Sequence, residues 1–155
     1  MLLLPGLAAC SSLGNCPKEQ DPRIVQLSSS ADGAGGGTGK KYTDPFLGYE
    51  SAPLSGPLAE FPAQTQVVFV HNLGAQPEFL ATELSFSPNG IAGGDLSENA
   101  GSQGEITCVD DNVIVVKNGT CENSFFIRVT AIASGTVKGS KPCPLAPADA
   151  GTPPP

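Results

Sequence analysis

Apolar and polar positions alternate with a period near two through the middle of the chain, which predicts strands. The clearest stretch is Gln66–Phe86, in which Val67, Val68, Phe69 and Val70 form a β-branched and aromatic run suited to a pleated surface. A compact break follows, His71-Asn72-Leu73-Gly74-Ala75-Gln76-Pro77. Beyond it Leu80, Leu84 and Phe86 share one parity while Glu83 and Ser85 take the other, as in a half-buried strand. Pro77 has no N–H to donate and belongs where pairing starts. Gly74 supplies a residue free to take positive φ where the chain reverses. The pattern therefore predicts a hairpin, and its role is to seed the fold.

Further strands are expected at Glu105–Val109, Asn112–Lys117 and Ser124–Ala133. In the last, Phe125, Ile127, Val129 and Ala131 point one way, and Phe126, Arg128, Thr130 and Ile132 the other. Asp110-Asp111-Asn112 and Asn118-Gly119 are the predicted turns, the second carrying the strongest short hairpin signal in the chain. Asn118-Gly119-Thr120 is also a glycosylation sequon, which the turn explains better. Upstream, Arg23–Leu27 has the composition of one short strand. Tyr42, Phe46, Leu47, Tyr49, Leu54, Leu58 and Phe61 lie among prolines at irregular spacing, which excludes a long helix. Such residues either line a groove or close the edge of a small β-core, and the second is expected. Ser87–Gly104 is long for a connection inside a compact domain. These elements define an all-β chain: a single small β-sandwich of about five to seven strands with Gly- and Pro-rich loops and disordered tails.

Composition agrees with that class. The 155 residues include 19 Gly and 15 Pro, no Trp, and only 15% charged residues. The net charge of −7 comes without any basic cluster, which argues against nucleic acid as a partner and removes direct attraction to anionic lipid. The run Ser28–Lys40 is Gly- and Ser-rich and reads as a flexible tether. It is not a phosphate-binding loop, because Lys41 stands where that pattern requires Ser or Thr.

The cysteines are Cys10, Cys16, Cys108, Cys121 and Cys143, with no Cys-x-x-Cys pair and one histidine in the chain. Disulfides explain them better than zinc. Setting Cys10 aside leaves three connectivities for the other four. Pairing neighbours in sequence joins Cys108 to Cys121 and Cys16 to Cys143, and this is the expected arrangement. A plain three-stranded meander opposes it, since Cys108 would face Ile114 and Cys121 would face Val116 on the next strand. Two strand spacings are about 9–10 Å, beyond the ~7 Å Cα limit for a disulfide. The pairing then requires Asn112–Lys117 to cross to the other sheet, or a wider turn.

The N-terminus accounts for Cys10. Leu7-Ala8-Ala9-Cys10 follows an apolar run and resembles the lipobox of bacterial lipoproteins, Leu-(Ala/Ser)-(Gly/Ala)-Cys, at every position. The resemblance implies cleavage before Cys10, diacylglycerol on its sulfur and an acyl chain on the new amine. Several chains on one residue make a stable anchor, each buried methylene contributing about 0.8 kcal/mol. Ser11 and Ser12 after the cysteine, in place of Asp, resemble the sorting class retained in the outer membrane where the host is Gram-negative. Under this reading residues 1–9 are a signal-peptide remnant, 10–41 the lipid anchor and tether, 42–134 the sandwich and 135–155 a Pro/Ala-rich tail. The membrane is a partner through the anchor, with an envelope protein or glycan as a further one.

Catalytic signals are sparse. No Gly-x-Ser-x-Gly elbow is present, and a triad would have to use His71. No local feature marks a carboxylate pair for glycoside cleavage. His71 and Asn72 are the residues of the break that could face a ligand. Asp95, Asp110 and Asp111, with Glu98 and Glu105, are weak candidates for calcium, which needs several converging oxygens; solvated acidic loops explain them better. No cofactor is expected. His71-Asn72-Leu73-Gly74-x-x-Pro77 also resembles the His-(Asn/Gly)-Leu-Gly-x-x-Pro hairpin of β-sandwich modules in phage tail fibres and H-type lectin-like domains. That resemblance implies a trimer-forming, sugar-binding or purely structural sandwich, and it transfers no ligand residue. The expected function is a non-catalytic binding or structural module in the cell envelope. The competing expectations are a glycan-active enzyme and a calcium-dependent lectin-like binder.

Overall fold

The chain builds two facing sheets, because its strands carry apolar residues on one or both faces and must bury them against one another. The structure is a computed structural model and describes residues 16–18, 23–25, 39–43, 46–99, 101–136 and 138–144. The lipobox with Cys10, the run 26–38 and the tail beyond residue 144 lie outside the described residues. The smaller sheet contains β1 (Arg23–Val25), β5 (Gln66–Val70), β8 (Glu105–Val109) and β9 (Val113–Lys117) in the order β1-β5-β9-β8. The larger contains β2 (Lys40–Tyr42), β3 (Leu47–Glu50), β6 (Phe79–Ser85), β7 (Ser97–Glu98) and β10 (Phe126–Ala133) in the order β2-β3-β10-β6-β7. The short β4 (Ala59–Glu60) pairs with the start of β10 beside β3. Apart from β1, which runs parallel to β5, the pairs are antiparallel. The all-β sandwich expected from the pattern is thus observed, and β2, β4 and β7, each two or three residues long, raise the strand number above five to seven.

Alternation along β10 reads as expected. Phe125, Ile127, Val129, Ala131 and Ala133 enter the core with Tyr49, Phe61, Val67, Phe69, Leu84, Ile114 and Val116. Pro77 stands just ahead of β6, and Gly74 takes φ 69° in the reversal. Leu80 and Leu84 face the core, whereas Phe86, of the same parity, lies past the end of β6 and is exposed.

Two expected hairpins are corrected. Gln66–Phe86 does not pair with itself: β5 belongs to the small sheet and β6 to the large one, so 71–78 is an arch between sheets. Asn118-Gly119 is likewise a crossing from β9 to β10. A two-residue type I′ hairpin needs positive φ at both central residues, and neither Asn118 nor Gly119 has it. Instead the buried Asn118 side chain donates from Nδ2 to the carbonyls of Phe61 (2.9 Å) and Glu122 (3.1 Å). Its Oδ1 accepts from the amide (2.9 Å) and hydroxyl (2.7 Å) of Thr120. The turn at Asp110-Asp111-Asn112 does join β8 to β9, and the Asp110 amide closes it by donating to Val113 O at 3.0 Å.

The small sheet is apolar on both faces. Val67, Phe69, Ile114 and Val116 face the core. Val68, Val113 and Val115 turn outward and are covered with Cys143 from the segment 138–144. That segment holds by donating amide hydrogens to acids of the β8–β9 turn: Cys143 N to Asp110 Oδ2 (2.7 Å) and Gly139 N to Asp111 Oδ2 (2.6 Å).

The cysteine pairing also differs from expectation. Cys16 joins Cys121 and Cys108 joins Cys143. A bulge between Ile106 and Cys108 sets Cys108 opposite Val115, on the outer face beneath the covering segment. Cys121 lies on the crossing past the end of β9. Part of the stretch expected as a tether is therefore tied to the body: Cys16 by its disulfide and β1 by three register pairs with β5.

Proteolysis with trypsin before any reduction will link Asn118–Arg128 to the Cys16 peptide and Tyr42–Lys117 to the peptide carrying Cys143; a Tyr42–Lys117 to Asn118–Arg128 link would refute this pairing. The cysteines are separated by 105 and 35 residues in sequence. On the chain-entropy treatment, closing loops of that length should stabilise the fold by about 3–5 kcal/mol each, measured by denaturant titration of the paired Cys→Ser variants.

Candidate functional site

A groove of about 380 Å³ opens on the outer face of the large sheet, at the size where small-ligand sites begin. Tyr42 of β2, Gly48 and Glu50 of β3, and Thr130 and Ile132 of β10 line it, with Phe46 at its rim and Tyr49 and Ala131 between them turned inward. Register explains the assembly, because Tyr42 pairs with Gly48, Gly48 with Ile132 and Glu50 with Thr130. These residues share one parity and stand side by side on one face.

Gly48 makes the floor. A Cβ there would lie 3.5 Å from Tyr42 Cδ2 and 3.7 Å from Phe46 Cε2, so the two rings flank the space that the missing side chain leaves. Tyr42 donates its hydroxyl to Glu50 Oε2 at 2.9 Å, and Lys40 Nζ lies 4.8 Å from the centre of its ring. Burial, then that hydrogen bond and the charge of Glu50, push the Tyr42 hydroxyl above the ordinary phenol value. Glu50 is held from its other oxygen by Arg128 Nη2 at 3.2 Å. Arg128 Nη1 pairs with Glu83 of β6, and Nε donates to Ala52 O at 2.6 Å. The buried guanidinium thus ties three neighbouring strands and has every nitrogen engaged, the condition under which a buried ion pair is tolerated.

The residues among the prolines, expected to close the edge of the core rather than line a groove, divide between the two tasks. Tyr49, Leu58 and Phe61 are buried, whereas Tyr42 and Phe46 border the groove. Glu50, Thr130 and Gly48 belong to no motif and escape a reading of the sequence alone. The available signal is a glycine inside a strand flanked by aromatic residues, which marks close approach or open space.

His71 lies in the interior. It is fully buried, accepts the Leu73 amide at Nδ1 (3.2 Å) and lies 3.2 Å from Asp110 O at Nε2. With Nδ1 accepting, the proton sits on Nε2 and is donated to that carbonyl. The ring is a neutral brace between the arch 71–78 and the β8–β9 turn, and desolvation lowers its pKa from the ordinary value. Asn72 is exposed beside it at φ 47°, and its carbonyl accepts from Lys41 Nζ at 2.6 Å.

The acids weighed for calcium are separated and engaged. Asp95 accepts from Ser85 Oγ (2.9 Å) and Phe86 N (2.7 Å), at the end of the sandwich where β6 finishes. Asp110 and Asp111 occupy the opposite end. Asp110 Oδ1 accepts from the amides of Asn112 (2.7 Å) and Val113 (2.8 Å). Asp111 takes Ser140 Oγ and the Gly139 amide, and these bonds hold its carboxyl below the ordinary range. Among the described residues no three His, Cys, Asp or Glu side chains converge to hold a metal ion. Comparison with protein-family models, curated proteins and solved structures returned no match.

The His71 brace gives stability a pH dependence. The unfolded ring takes up a proton near pH ~6.5, while the folded ring stays neutral to lower pH. Between those values the unfolded state binds more protons, so stability is complete above pH ~6.5 and falls as the pH drops below it. Asn at position 71 can still accept the Leu73 amide through an Asx-turn. Thermal unfolding between pH 7 and 5 should therefore slope downward in the wild type and lose that slope in His71→Asn; a flat wild-type profile would refute the neutral brace.

Proposed function

We propose that this chain is an exported, lipid-anchored protein of the bacterial cell envelope whose sandwich acts as a non-catalytic binding module, with the groove over Gly48 as its ligand site. The binding reading is carried by one observation: Tyr42 and Phe46 flank the glycine floor of a groove with Glu50 and Thr130 alongside. An aromatic face beside a carboxylate and a hydroxyl suits a sugar ring, whose C–H face packs on the rings while its hydroxyls bond the polar pair. A glycan of the envelope is therefore the ligand class that the groove favours. The anchor rests on Leu7-Ala8-Ala9-Cys10, and two disulfides fit an oxidising compartment. In a Gram-negative host, Ser11 and Ser12 favour the outer membrane over the inner.

A non-catalytic role is supported by what lines the groove. Glu50 is the single carboxylate among the described lining residues, whereas glycoside cleavage ordinarily uses two across the scissile bond. The histidine is enclosed with both nitrogens engaged.

Two experiments test this reading. Fatty-acid labelling in cells should mark the wild type and leave Cys10→Ser unmarked; an unlabelled wild type removes the anchor. Gly48→Val fills the floor between the two rings; the added Cβ itself makes only ordinary contacts, and thermal unfolding of the variant checks that the fold is kept. On a glycan array the variant should bind about tenfold or more weakly than the wild type. No wild-type signal, or one unaffected by Gly48→Val, removes the groove from this reading.

A further inference from the structure

Among the described residues, the loops at one end of the sandwich leave large apolar side chains uncovered. Phe86 is 63% exposed, Ile91 61% and Leu54 44%. They form one cluster of loop tips: Ile91 N donates to Leu54 O at 2.9 Å, Leu58 N to Pro88 O at 2.8 Å, and the Phe86 ring lies 5.1 Å from that of Phe125. The Cys16–Cys121 bond is at this same end. Cys121 lies on the crossing that leads to Phe125, and Gln64 reaches both Cys16 Sγ (3.6 Å) and the Thr120 carbonyl (3.0 Å).

The tie at Cys16 changes the length of the tether. Cys10 and Cys16 are six residues apart in sequence, and chain that long spans at most roughly 20–22 Å even fully extended. Strand β10, with eight residues, is itself about 27 Å long. A lipid on Cys10 therefore cannot hold the sandwich away from the bilayer by as much as its own length. The Gly-rich run 28–38 adds nothing to that reach, because the chain is already fixed to the body at Cys16 and at β1 before it.

We infer that the end bearing Leu54, Phe86 and Ile91 rests on the lipid bilayer that holds the Cys10 anchor, with these side chains seated at the headgroup–acyl boundary. This rests on the anchored reading of Cys10. Apolar contact supplies the attraction, as the chain's charge of −7 offers none to anionic headgroups. Covalent anchoring holds three modest side chains at a surface that they would not hold alone. The orientation also carries the groove outward, because Thr130 and Ile132 lie in the half of β10 remote from this end.

The absence of tryptophan makes the test direct. Full-length protein, purified from cells as the acylated form, is made as Leu54→Trp, Ile91→Trp and Phe79→Trp. Phe79 is comparably exposed, at 54%, but stands at the opposite end where β6 begins. Each is reconstituted in phosphatidylethanolamine–phosphatidylglycerol vesicles containing a lipid brominated in its upper acyl chain, and the mass of the N-terminal peptide records acylation. At a depth of about 5–10 Å, tryptophan emission from Leu54→Trp and Ile91→Trp should shift to the blue and lose about half or more of its intensity. Emission from Phe79→Trp should be unchanged. Equal quenching in all three variants, or none in any, with Cys10 acylated, overturns the orientation and leaves the anchor standing. An unmodified N-terminal peptide overturns both. A blue shift in Ile91→Trp that grows with protein concentration without vesicles assigns the face to a second copy instead, and also overturns the inference.

Discussion

The small sheet has two apolar faces and only one partner sheet. Val67, Phe69, Ile114 and Val116 meet the large sheet, which leaves Val68, Val113 and Val115 to be covered by something else. Segment 138–144 is the answer, and much of the molecule's polar wiring serves to hold it there. Asp110 bonds the Cys143 amide with one carboxylate oxygen and caps its own turn with the other. Its backbone carbonyl takes the His71 ring, which fixes the arch between sheets. A single acidic residue thus joins the β8–β9 turn, the β5–β6 arch and the covering segment. Cys108–Cys143 closes the same contact covalently.

Much of this is legible in the sequence, and the limit has a physical cause. Parity is readable where one strand face is buried, as in Phe125–Ala131, because alternation fixes which way each side chain points. Alternation does not say which strand is the partner. An apolar run, a Gly-containing break and a second apolar run look alike whether the chain turns back in one sheet or passes to the other. Gln66–Phe86 and Asn118-Gly119 both carry hairpin signals and are both crossings. The same ambiguity reverses the cysteine pairs, since the expected partners depend on which strands are neighbours. One bulged residue near Cys108 then decides which strand residue it faces. The groove is legible in part: its rings stand out in the sequence, but Glu50 and Thr130 come together only through the register of β3 with β10.

Arg128 links the core to that outer surface. It stands on the outward-facing parity of β10, yet is buried, because Glu50 and Glu83 on the flanking strands and the Ala52 carbonyl surround it. One of these carboxylates also accepts the Tyr42 hydroxyl. The edge strand β2 is therefore positioned through a charged relay anchored at the centre of the sheet, which sets the tilt of the ring at the groove.

The order of attachments along the chain has a consequence for release. Cys16 is bonded to Cys121, and only afterwards does the chain enter the Gly- and Ser-rich run that precedes β2. A protease cutting within 28–38 would sever the backbone without freeing the sandwich from whatever precedes Cys16. A cut in that run would separate the two parts only once Cys16–Cys121 was also reduced, so two independent chemistries guard that junction, whereas a cut ahead of Cys16 meets no such lock.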